Sequence, residues 1–211
     1  FGTDFWTGPM EISPLPERAA AMGAPQHWVG DVAVNDVDAS AKRFVEMGAQ
    51  QLGPTHHLPD GSSRAVFRDP FGGAVIGFTS GQAVTHRAAA KERVAWHILH
   101  TREHERAFAA YASLLGWTIT EELDLGDRGK HQMFACDASG ETVGSVANTA
   151  LSPQIHVQWM HFFRVSDIQR SLAKVAELGG IALPVMETPT GDLVAPCDDP
   201  QGGAFALYQV V

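Results

Sequence analysis

The chain has 211 residues, of which 45% are hydrophobic, and this length and composition allow two compact domains that each bury a core. Its formal net charge is −9 with only 15 Lys and Arg residues, which argues against a nucleic acid or an anionic membrane as a partner. No apolar run is long enough to span a bilayer, no secretory signal is visible, and Cys136 and Cys197 lack metal-binding spacing, so we expect a reduced, cytoplasmic protein.

Residues 1–12 resemble the closing strands of a repeat unit whose opening strand and helix are absent from the sequence given, and residues 13–25 form a connector rich in Pro and Ala. The first full unit occupies residues 28–80. It begins with a predicted strand over residues 32–34 and continues with an amphipathic helix. The apolar positions of this helix have the spacing of one helix face and are Val37, Ala41, Phe44 and Val45. Gly48 is the expected left-handed residue that ends the helix.

A tight turn precedes the last strand of this unit. Residues 69–73 read Asp-Pro-Phe-Gly-Gly, which combines the fixed φ of proline with the permissive backbone of glycine. The apolar residues 74–76 that follow predict the last strand. Residues 81–92 are polar and alanine-rich, and we interpret them as the linker between two domains, which would cover residues 1–85 and 86–211.

The second domain opens with a diverged copy of the same unit over residues 93–149. Its sequence predicts an opening strand, a helix, and later strands over residues 132–135 and 142–147. Phe108, Tyr111 and Ala112 occupy the apolar face of its helix. A connector over residues 151–158 then leads to the last unit.

The last unit, residues 159–209, repeats the first one almost position by position. The offset is 131 at Trp28/Trp159 and 130 at Asp69/Asp199. The apolar helix positions recur as Ile168, Leu172, Val175 and Ala176. A repeat of this length predicts an α+β fold in which tandem βαβββ modules pair into curved mixed sheets.

The start of the last helix carries a second local signal. Ser166, followed three residues later by Gln169, predicts a capping box in which the serine hydroxyl accepts from the first turn. Gly179 predicts the left-handed end of the same helix.

The paired βαβββ units resemble the vicinal oxygen chelate superfamily, which includes glyoxalase I, bleomycin-resistance proteins and extradiol dioxygenases. The match covers nearly the whole chain and is most specific in the turns at residues 69–73 and 199–203 and in the segment 111–117. The resemblance implies that two modules form a curved sheet around a cavity. It also implies that metal-dependent members hold their ion with His or Gln on the first strand and Glu on the last strand of each module.

None of the side chains at the implied ligand positions of the complete modules suits a hard metal ion. On the first strands these positions hold Val29, Trp96 and Met160. On the last strands they fall on Ile76 or Gly77, on about Gly144, and on Ala206. We therefore predict no cofactor and no family-type chelate in the second domain, although glyoxalase I and dioxygenase chemistry both require a metal ion.

His97 and His161 suggest the alternative, a displaced site for a divalent metal ion. They lie at matching positions of two modules, one residue past the ligand position, and Glu11 could add a carboxylate. Because side chains alternate along a strand, we expect both rings to face away from the cavity and to pack between sheet and helix. Only a β-bulge in each strand would direct them toward a shared ion.

A short motif in the second domain is typical of a different class of enzyme. His100, Glu103 and His104 spell H-x-x-E-H, an inverted zinc-protease pattern. That chemistry needs both histidines on one continuous helix, whereas the repeat predicts a strand end for His100 and the first helical turn for His104. We interpret the motif as a chance match.

Strand alternation also predicts a ligand-binding surface, because residues two and four positions after each first-strand ligand position share its face. The predicted concave surface consists of Trp96, Ile98, His100, Met160, Phe162 and Arg164. These side chains suit a flat, partly apolar organic anion. In glutathione-using relatives, the resemblance implies, a basic residue at the place of Arg164 contacts a substrate carboxylate. The alternative is that the apolar members fill the cavity as core. In the first unit Asp31 holds the place of Phe162; one interpretation is that it lines the first cavity, but we expect a solvated edge residue.

Three functional hypotheses follow. The first is a metal-independent protein that binds a small organic anion around Arg164. The second is an enzyme of the superfamily, a lyase, isomerase or dioxygenase, that uses the displaced metal site. The third is an interaction protein with filled cavities. The open sheet edge of the first domain also calls for a cover, by further residues or by a neighbouring chain as in a homodimer.

Overall fold

The computed structural model describes residues 13–59, 61–80 and 94–211. The predicted remnant unit with Glu11 and the predicted linker over residues 81–92 lie outside the described residues. The α-helices are α1 (Glu17–Ala21), α2 (Val37–Glu46), α3 (His104–Leu115) and α4 (Ile168–Glu177). The β-strands are β1 (Asp31–Ala33), β2 (Gln50–Gln51), β3 (His56–His57), β4 (Ser63–Arg68), β5 (Val75–Ser80), β6 (Val94–His100), β7 (Thr118–Asp124), β8 (Lys130–Ala135), β9 (Thr142–Ala147), β10 (Gln158–Arg164), β11 (Ile181–Ala182), β12 (Met186–Glu187), β13 (Leu193–Asp198) and β14 (Ala204–Gln209).

The chain divides into two compact units. Unit 1 takes in the described residues of 29–85 together with 97–159, and unit 2 takes in 13–28, 94–96 and 160–211. The predicted domain boundary at residue 85 stays a prediction. No helix in the described ranges is both long and apolar enough to cross a lipid bilayer.

Unit 1 contains two sets of paired strands. In the first set β1 pairs with β5 in parallel, β5 with β4 antiparallel, and β2 and β3 with β4 antiparallel. In the second set β6 pairs with β9 in parallel, β9 with β8 antiparallel, and β8 with β7 antiparallel. In the second set the opening strand and helix are followed by three strands, as the repeat predicts. In the first set they are followed by four, because the short strands β2 and β3, which both pair with β4, hold the place of one.

The core of unit 1 lies where α2 and α3 pack against each other and against the sheets. Aromatic rings dominate it, and Trp117 stacks on Phe134 with ring centroids 4.5 Å apart. The largest contributors are Phe44, Phe67, Phe78, Tyr111, Trp117, Phe134 and Trp159. Each buried aromatic side chain contributes about 1.5–3 kcal/mol of transfer free energy, so this cluster is the main source of cohesion in unit 1.

Unit 2 repeats the arrangement with one module. There β10 pairs with β14 in parallel, β14 with β13 antiparallel, and β11 and β12 with β13 antiparallel. Its buried cluster is small and consists of Ile168, Ala195, Cys197 and Leu207. Both cysteines of the chain are buried, as expected of small apolar side chains. Within α4 only Ile168 is buried, so most of the apolar face of this helix is incompletely covered.

Equivalent residues of the repeat form the ends of α2 and α4, and the N-cap residues differ from the predicted ones. The N-caps of α2 and α4 are Asp36 and Asp167, whose carboxylates accept from the backbone N–H three residues later at 2.9 Å. The predicted capping box of Ser166 and Gln169 is therefore wrong, because the carboxylate one residue later takes the first-turn amide. The predicted left-handed glycine at residue 48 is confirmed, with φ 100°.

Two predicted core positions are solvent-facing instead. Val45 of α2 is 45% exposed, and Ala176 of α4 is exposed as well. Both sit at the edge of the apolar stripe, where the helix turns away from the sheet. The predicted strands 132–135 and 142–147 are confirmed within β8 and β9, whereas β7 was missed because its residues are mostly polar and exposed.

Candidate functional site

The side chains of the opening strand β6 alternate between the two faces of the sheet. Leu99 is fully buried in the core beside α3, and His97, which shares its face, is also buried. Ile98 and His100 therefore point to the opposite face of the sheet, which we call the concave face because the family resemblance implies the cavity there. His97 lies on the helix side, which is where strand alternation placed it.

Two histidine–hydroxyl pairs occupy the concave face of unit 1. His100 Nδ1 lies 2.6 Å from Thr149 Oγ1, and His131 Nδ1 lies 3.0 Å from Ser145 Oγ. His131 Nε2 also lies 3.1 Å from the Arg128 carbonyl oxygen, which can only accept. Nε2 therefore carries the ring proton, and the Ser145 hydroxyl donates to Nδ1. Sequence reasoning identified His100 here but missed His131 and Ser145.

Burial keeps both imidazoles uncharged at neutral pH. Burial, with a smaller effect of the nearby His131, lowers the pKa of His100 to about 4. The pKa of His131 is also lowered, first by burial. Two neutral rings can accept or donate hydrogen bonds but add no positive charge to this face.

Strand pairing fixes the last-strand ligand positions that the family resemblance implies. Ile98 pairs with Ser145 and Phe162 pairs with Ala206 in the parallel register. The repeat makes Ile98 and Phe162 equivalent, so the ligand position on β9 is Ser145. The estimate of about Gly144 was wrong by one residue. Gly144 faces the core instead, since a Cβ there would lie 3.0 Å from the buried Phe134 ring.

The corresponding position in the first full module is Gly77. It pairs with Asp31, and a Cβ on Gly77 would meet Asp31 Oδ1 at 1.7 Å. Both carboxylate oxygens of Asp31 accept from Arg64 Nε, at 3.0 and 2.9 Å. Asp31 is thus a partly buried ion-pair member, and the prediction of a solvated edge residue was wrong.

In unit 2 the strand β10 presents Met160, Phe162 and Arg164 on one face. Met160 is half-buried and Phe162 is buried, whereas Arg164 at the strand end is exposed. Trp96, the remaining predicted member, is half-buried in β6. The six predicted residues thus divide between the units, with Ile98 and His100 in unit 1 and the other four in unit 2.

Arg164 lies beside an acid–phenol pair. It pairs in register with Tyr208, whose hydroxyl donates to Asp192 Oδ2 at 2.6 Å. This bond lowers the pKa of Asp192, and the Arg164 charge lowers it a little further. Burial and the Asp192 carboxylate raise the pKa of Tyr208 to about 12. The Arg164 guanidinium therefore lies at the rim of the sheet, next to an Asp192 carboxylate that already accepts hydrogen bonds from other groups.

Of the side chains proposed for a displaced metal site, Glu11 lies outside the described residues, His97 is buried in unit 1 and His161 is buried in unit 2. His161 is buried on the same side of β10 as Phe163, which packs against the core cluster of unit 2. Burial lowers the pKa of His161 to about 4. Among residues 13–59, 61–80 and 94–211, no group of three His, Cys, Asp or Glu side chains is placed to hold a metal ion. The zinc-protease motif is also divided, because His100 ends β6 and His104 begins α3.

A cavity of about 570 Å³ opens on the α4 side of the unit 2 sheet. Of the six predicted surface residues it touches only Arg164. Its lining residues are Trp28, Phe163, Arg164, Val175, Leu178, Gly180, Asp199, Pro200 and Phe205. Trp28 packs edge-on against Phe163 with ring centroids 5.3 Å apart. We call this space the α4 cavity.

Sequence comparison finds a curated relative over nearly the whole chain. “Putative glyoxylase CFP32” of Mycobacterium bovis is 30% identical over 204 residues, which cover 94% of this chain and 75% of that protein. The protein of the same name from Mycobacterium tuberculosis gives the same values. No protein-family model matches the sequence.

Solved structures share the fold at low sequence identity. The Mn(II)-bound glyoxalase from Novosphingobium aromaticivorans has a TM-score of 0.54 at 15% identity over 86% of this chain. The chain spans 62% of that glyoxalase. The 2,3-dioxygenase LapB from Pseudomonas sp. KL28 has a TM-score of 0.56 at 12% identity, covering 86% of this chain and 71% of LapB.

Proposed function

Because this chain belongs to the vicinal oxygen chelate superfamily, we propose that its second domain binds a small organic anion without the family's metal chelate. The observation that carries the proposal is the strand register. In this register Ser145 pairs with Ile98 and Ala206 with Phe162, which supports taking Ser145 and Ala206 as the last-strand ligand positions. Trp96 and Met160 are the first-strand positions that the sequence predicts. Indole, thioether, hydroxyl and methyl groups do not form a chelate for a hard divalent ion.

The charge at the rim of β10 favours an anionic ligand. Arg164 is exposed, and it forms no ion pair among the described residues. Its neighbour Asp192 already accepts from the Tyr208 hydroxyl and from the Val211 backbone N–H. A planar guanidinium with free donors binds a carboxylate through two parallel hydrogen bonds.

The rest of the β10 face favours a ligand that is partly apolar. Met160 offers a half-buried thioether on the same face as Arg164. A carboxylate or similar anion attached to an apolar body matches these two groups.

A thermal-shift screen tests the proposal. The panel pairs aromatic and aliphatic carboxylates with their uncharged amides, and the proteins are wild type, Arg164→Ala and the control Arg170→Ala, which removes an exposed arginine from α4. We expect at least one carboxylate, but not its amide, to raise the Tm of wild type and Arg170→Ala and to lose that effect in Arg164→Ala. Equal shifts in all three proteins would remove Arg164 from the binding site.

The relatives favour a second candidate function. One is named a glyoxylase and one structural neighbour is a Mn(II)-bound glyoxalase, so a metal-dependent lyase, isomerase or dioxygenase with a displaced ion on His97, His161 and Glu11 is the alternative. The two candidates differ in metal content. A stoichiometric divalent ion that is lost in His161→Gln would support the enzyme and contradict the metal-free proposal.

A further inference from the structure

The α4 cavity has the size and the walls of a small-molecule pocket. Its volume of about 570 Å³ lies within the range of about 300–1,000 Å³ that such pockets span. Three aromatic rings form one wall, with centroids 5.3 Å apart for Trp28 and Phe163, 6.2 Å for Trp28 and Phe205, and 5.9 Å for Phe163 and Phe205. The lining residues named above all belong to unit 2. Walls of this kind favour a flat, apolar ring as the ligand body.

Two polar atoms of the lining residues have no hydrogen-bond partner in the described part of the chain. Trp28 Nε1 is buried and can only donate. Asp199 Oδ1 accepts from the backbone N–H groups of Gln201 and Gly203, at 2.8 and 2.9 Å, whereas no described group donates to Asp199 Oδ2. A buried donor without a partner is unfavourable, so these two atoms favour a ligand group that both donates and accepts.

Unit 1 shows which group satisfies the equivalent two atoms. The repeat makes Trp28 equivalent to Trp159 and Asp199 equivalent to Asp69. The Tyr111 hydroxyl donates to Asp69 Oδ2 at 3.1 Å and accepts from Trp159 Nε1 at 3.5 Å. One phenol thus binds both atoms at once, and a phenol hydroxyl is therefore the group that the two atoms of the α4 cavity match.

The repeat also indicates that a substituted phenol has room here. In unit 1 the Phe44 ring lies 5.8 Å from the Tyr111 ring between centroids. The residue of the α4 cavity that is equivalent to Phe44 is Val175, whose side chain is smaller. Unit 2 therefore leaves more space around the position of the phenol than unit 1 does.

Arg164 adds a positive charge at the edge of the α4 cavity. It is exposed at the end of β10 and is one of the lining residues. Because it ends the strand, it lies between the α4 side of the sheet and the face that carries Met160. Its guanidinium can therefore pair with a carboxylate whose apolar body lies in the α4 cavity. Asp199 is the one carboxylate among the described lining residues, and its Oδ2 is placed to accept from a hydroxyl.

We propose that the α4 cavity binds a phenol that carries a carboxylate, a ligand class that rests on the anion site proposed at Arg164 and makes it more specific. The phenol hydroxyl donates to Asp199 Oδ2 and accepts from Trp28 Nε1. The ring lies against Phe163 and Phe205, and the carboxylate pairs with the Arg164 guanidinium at the edge of the cavity.

Three matched probes test the proposal by isothermal titration calorimetry with the full 211-residue chain. N-acetyltyrosine carries both the phenol and the carboxylate, N-acetylphenylalanine lacks the hydroxyl, and N-acetyltyrosinamide lacks the negative charge. We expect wild type to bind N-acetyltyrosine saturably and each of the other two about tenfold more weakly, as the loss of one hydrogen bond to a charged group predicts.

Variants of the chain assign each contact. Asp199→Asn should weaken N-acetyltyrosine about tenfold and leave the affinity for N-acetylphenylalanine unchanged, because only the first probe has a hydroxyl to donate. Arg164→Ala should weaken both carboxylates and leave the affinity for the amide unchanged. Asp198→Asn, at an exposed neighbouring residue, is the matched control and should bind all three probes as wild type does.

A measurement on wild type makes the test independent of the stability of Asp199→Asn. In a nitrogen–proton correlation spectrum, the indole N–H signal that Trp28→Phe removes should shift as N-acetyltyrosine saturates the chain. A signal that does not move would overturn the phenol site.

The remaining outcomes separate the phenol site from the anion site. Equal affinity for N-acetyltyrosine and N-acetylphenylalanine, with both weakened in Arg164→Ala, would overturn the phenol site and leave the anion site standing. Weakening of N-acetyltyrosine by Met160→Ala but not by Asp199→Asn would do the same. Equal affinity for the amide and N-acetyltyrosine would contradict the contact with Arg164 and therefore both sites. No saturable binding of N-acetyltyrosine would overturn the phenol site, and the carboxylate screen decides separately about the anion site.

Discussion

At the scale of single residues, equivalent aspartates in the repeat have different surroundings. Asp69 is 4% exposed and accepts from three backbone N–H groups and from Tyr111, while Asp199 is only half-buried. Burial raises the pKa of Asp69, and the backbone bonds work against that rise. The Asp-Pro turn is thus both a chain reversal and, in unit 1, a buried polar anchor for α3.

Tyr111→Phe should destabilise the fold through this anchor. It leaves Asp69 Oδ2 and Trp159 Nε1 without the hydroxyl, in a site where water does not enter, so we expect a loss of about 1–3 kcal/mol in the free energy of unfolding. Urea denaturation measures it. Tyr208→Phe is the control, because its half-buried hydroxyl can be replaced by water, and it should cost about 1 kcal/mol or less. Equal losses in the two variants would show that burial of the Tyr111 hydroxyl does not increase its contribution to stability.

The buried histidines make stability depend on pH. The folded-state pKa values of His100 and His161 are lowered to about 4, from 6.5 in an unfolded chain. The unfolded state therefore binds protons first as the pH falls, and stability from these groups, complete above pH 6.5, is lost down to about pH 4. Each histidine contributes a slope of up to about 1.4 kcal/mol per pH unit.

Replacing His161 tests this pH dependence. His161→Gln should flatten the decline in the free energy of unfolding between about pH 6.5 and pH 4, as measured by urea denaturation at several pH values. His156→Gln, at an exposed position, should leave the slope as in wild type. An unchanged slope in His161→Gln would show that this ring takes up its proton over the same pH range in the folded and the unfolded protein, which contradicts the prediction.

At the scale of elements, an acidic cap begins both α2 and α4. The carboxylate of Asp167 accepts from Arg170 N at 2.9 Å, while the backbone N–H of Ile168 is satisfied by Gln209 Oε1 at 2.7 Å. The last strand thereby helps to hold the start of the helix. Capping by Asp167 also explains why the Ser-x-x-Gln pattern one residue earlier has no structural effect.

Asp167→Ala should cost about 1 kcal/mol in the free energy of unfolding, because it removes the N-cap acceptor of α4. Ser166→Ala is the matched control and should change it by less than about 0.5 kcal/mol, as is usual for a surface substitution. Thermal or urea denaturation distinguishes them. A larger loss of stability in Ser166→Ala than in Asp167→Ala would contradict capping by Asp167 and support the capping box.

The sequence was a good guide to elements wherever periodicity was strong. The helix face of α2 was right except at Val45, and the opening strands and the glycine helix ends were right. It failed at β7, whose residues lack an apolar alternation because the strand lies at an exposed sheet edge. Such an edge strand is held by its backbone pairing with β8, which no side-chain pattern records.

At the scale of the whole molecule, small differences in turn length limited how precisely the sequence could predict the last-strand ligand positions. Pairing of Asp31 with Gly77 and of Phe162 with Ala206 makes the offset 129 along the last strand, one less than at the Asp-Pro turns. A single added residue in a turn shifts every later side chain to the other face. The sequence alone therefore located the β9 ligand position only to within one residue, and it gave no hint of the Ser145–His131 pair.

The contacts of Trp28, Trp159 and Arg164 depend on tertiary structure and could not be predicted from the sequence. Sequence reasoning recognised Trp28 and Trp159 as equivalent, but not that Trp28 would line the α4 cavity or that Trp159 would donate to the Tyr111 hydroxyl, because the contacting segments are far apart in the chain. Arg164 was placed correctly on its strand, yet its neighbours Tyr208 and Asp192 came only from the register of β10 with β14 and from the hydrogen bond to Asp192.

Metal analysis tests the central claim most directly, namely that the ligand positions of the second domain hold no chelate. The purified 211-residue chain is incubated with Mn(II), Fe(II) or Zn(II), desalted, and measured by inductively coupled plasma mass spectrometry. With Trp96, Met160, Ser145 and Ala206 at those positions, we expect every ion to remain far below one equivalent per chain. Retention of one stoichiometric divalent ion would contradict the account.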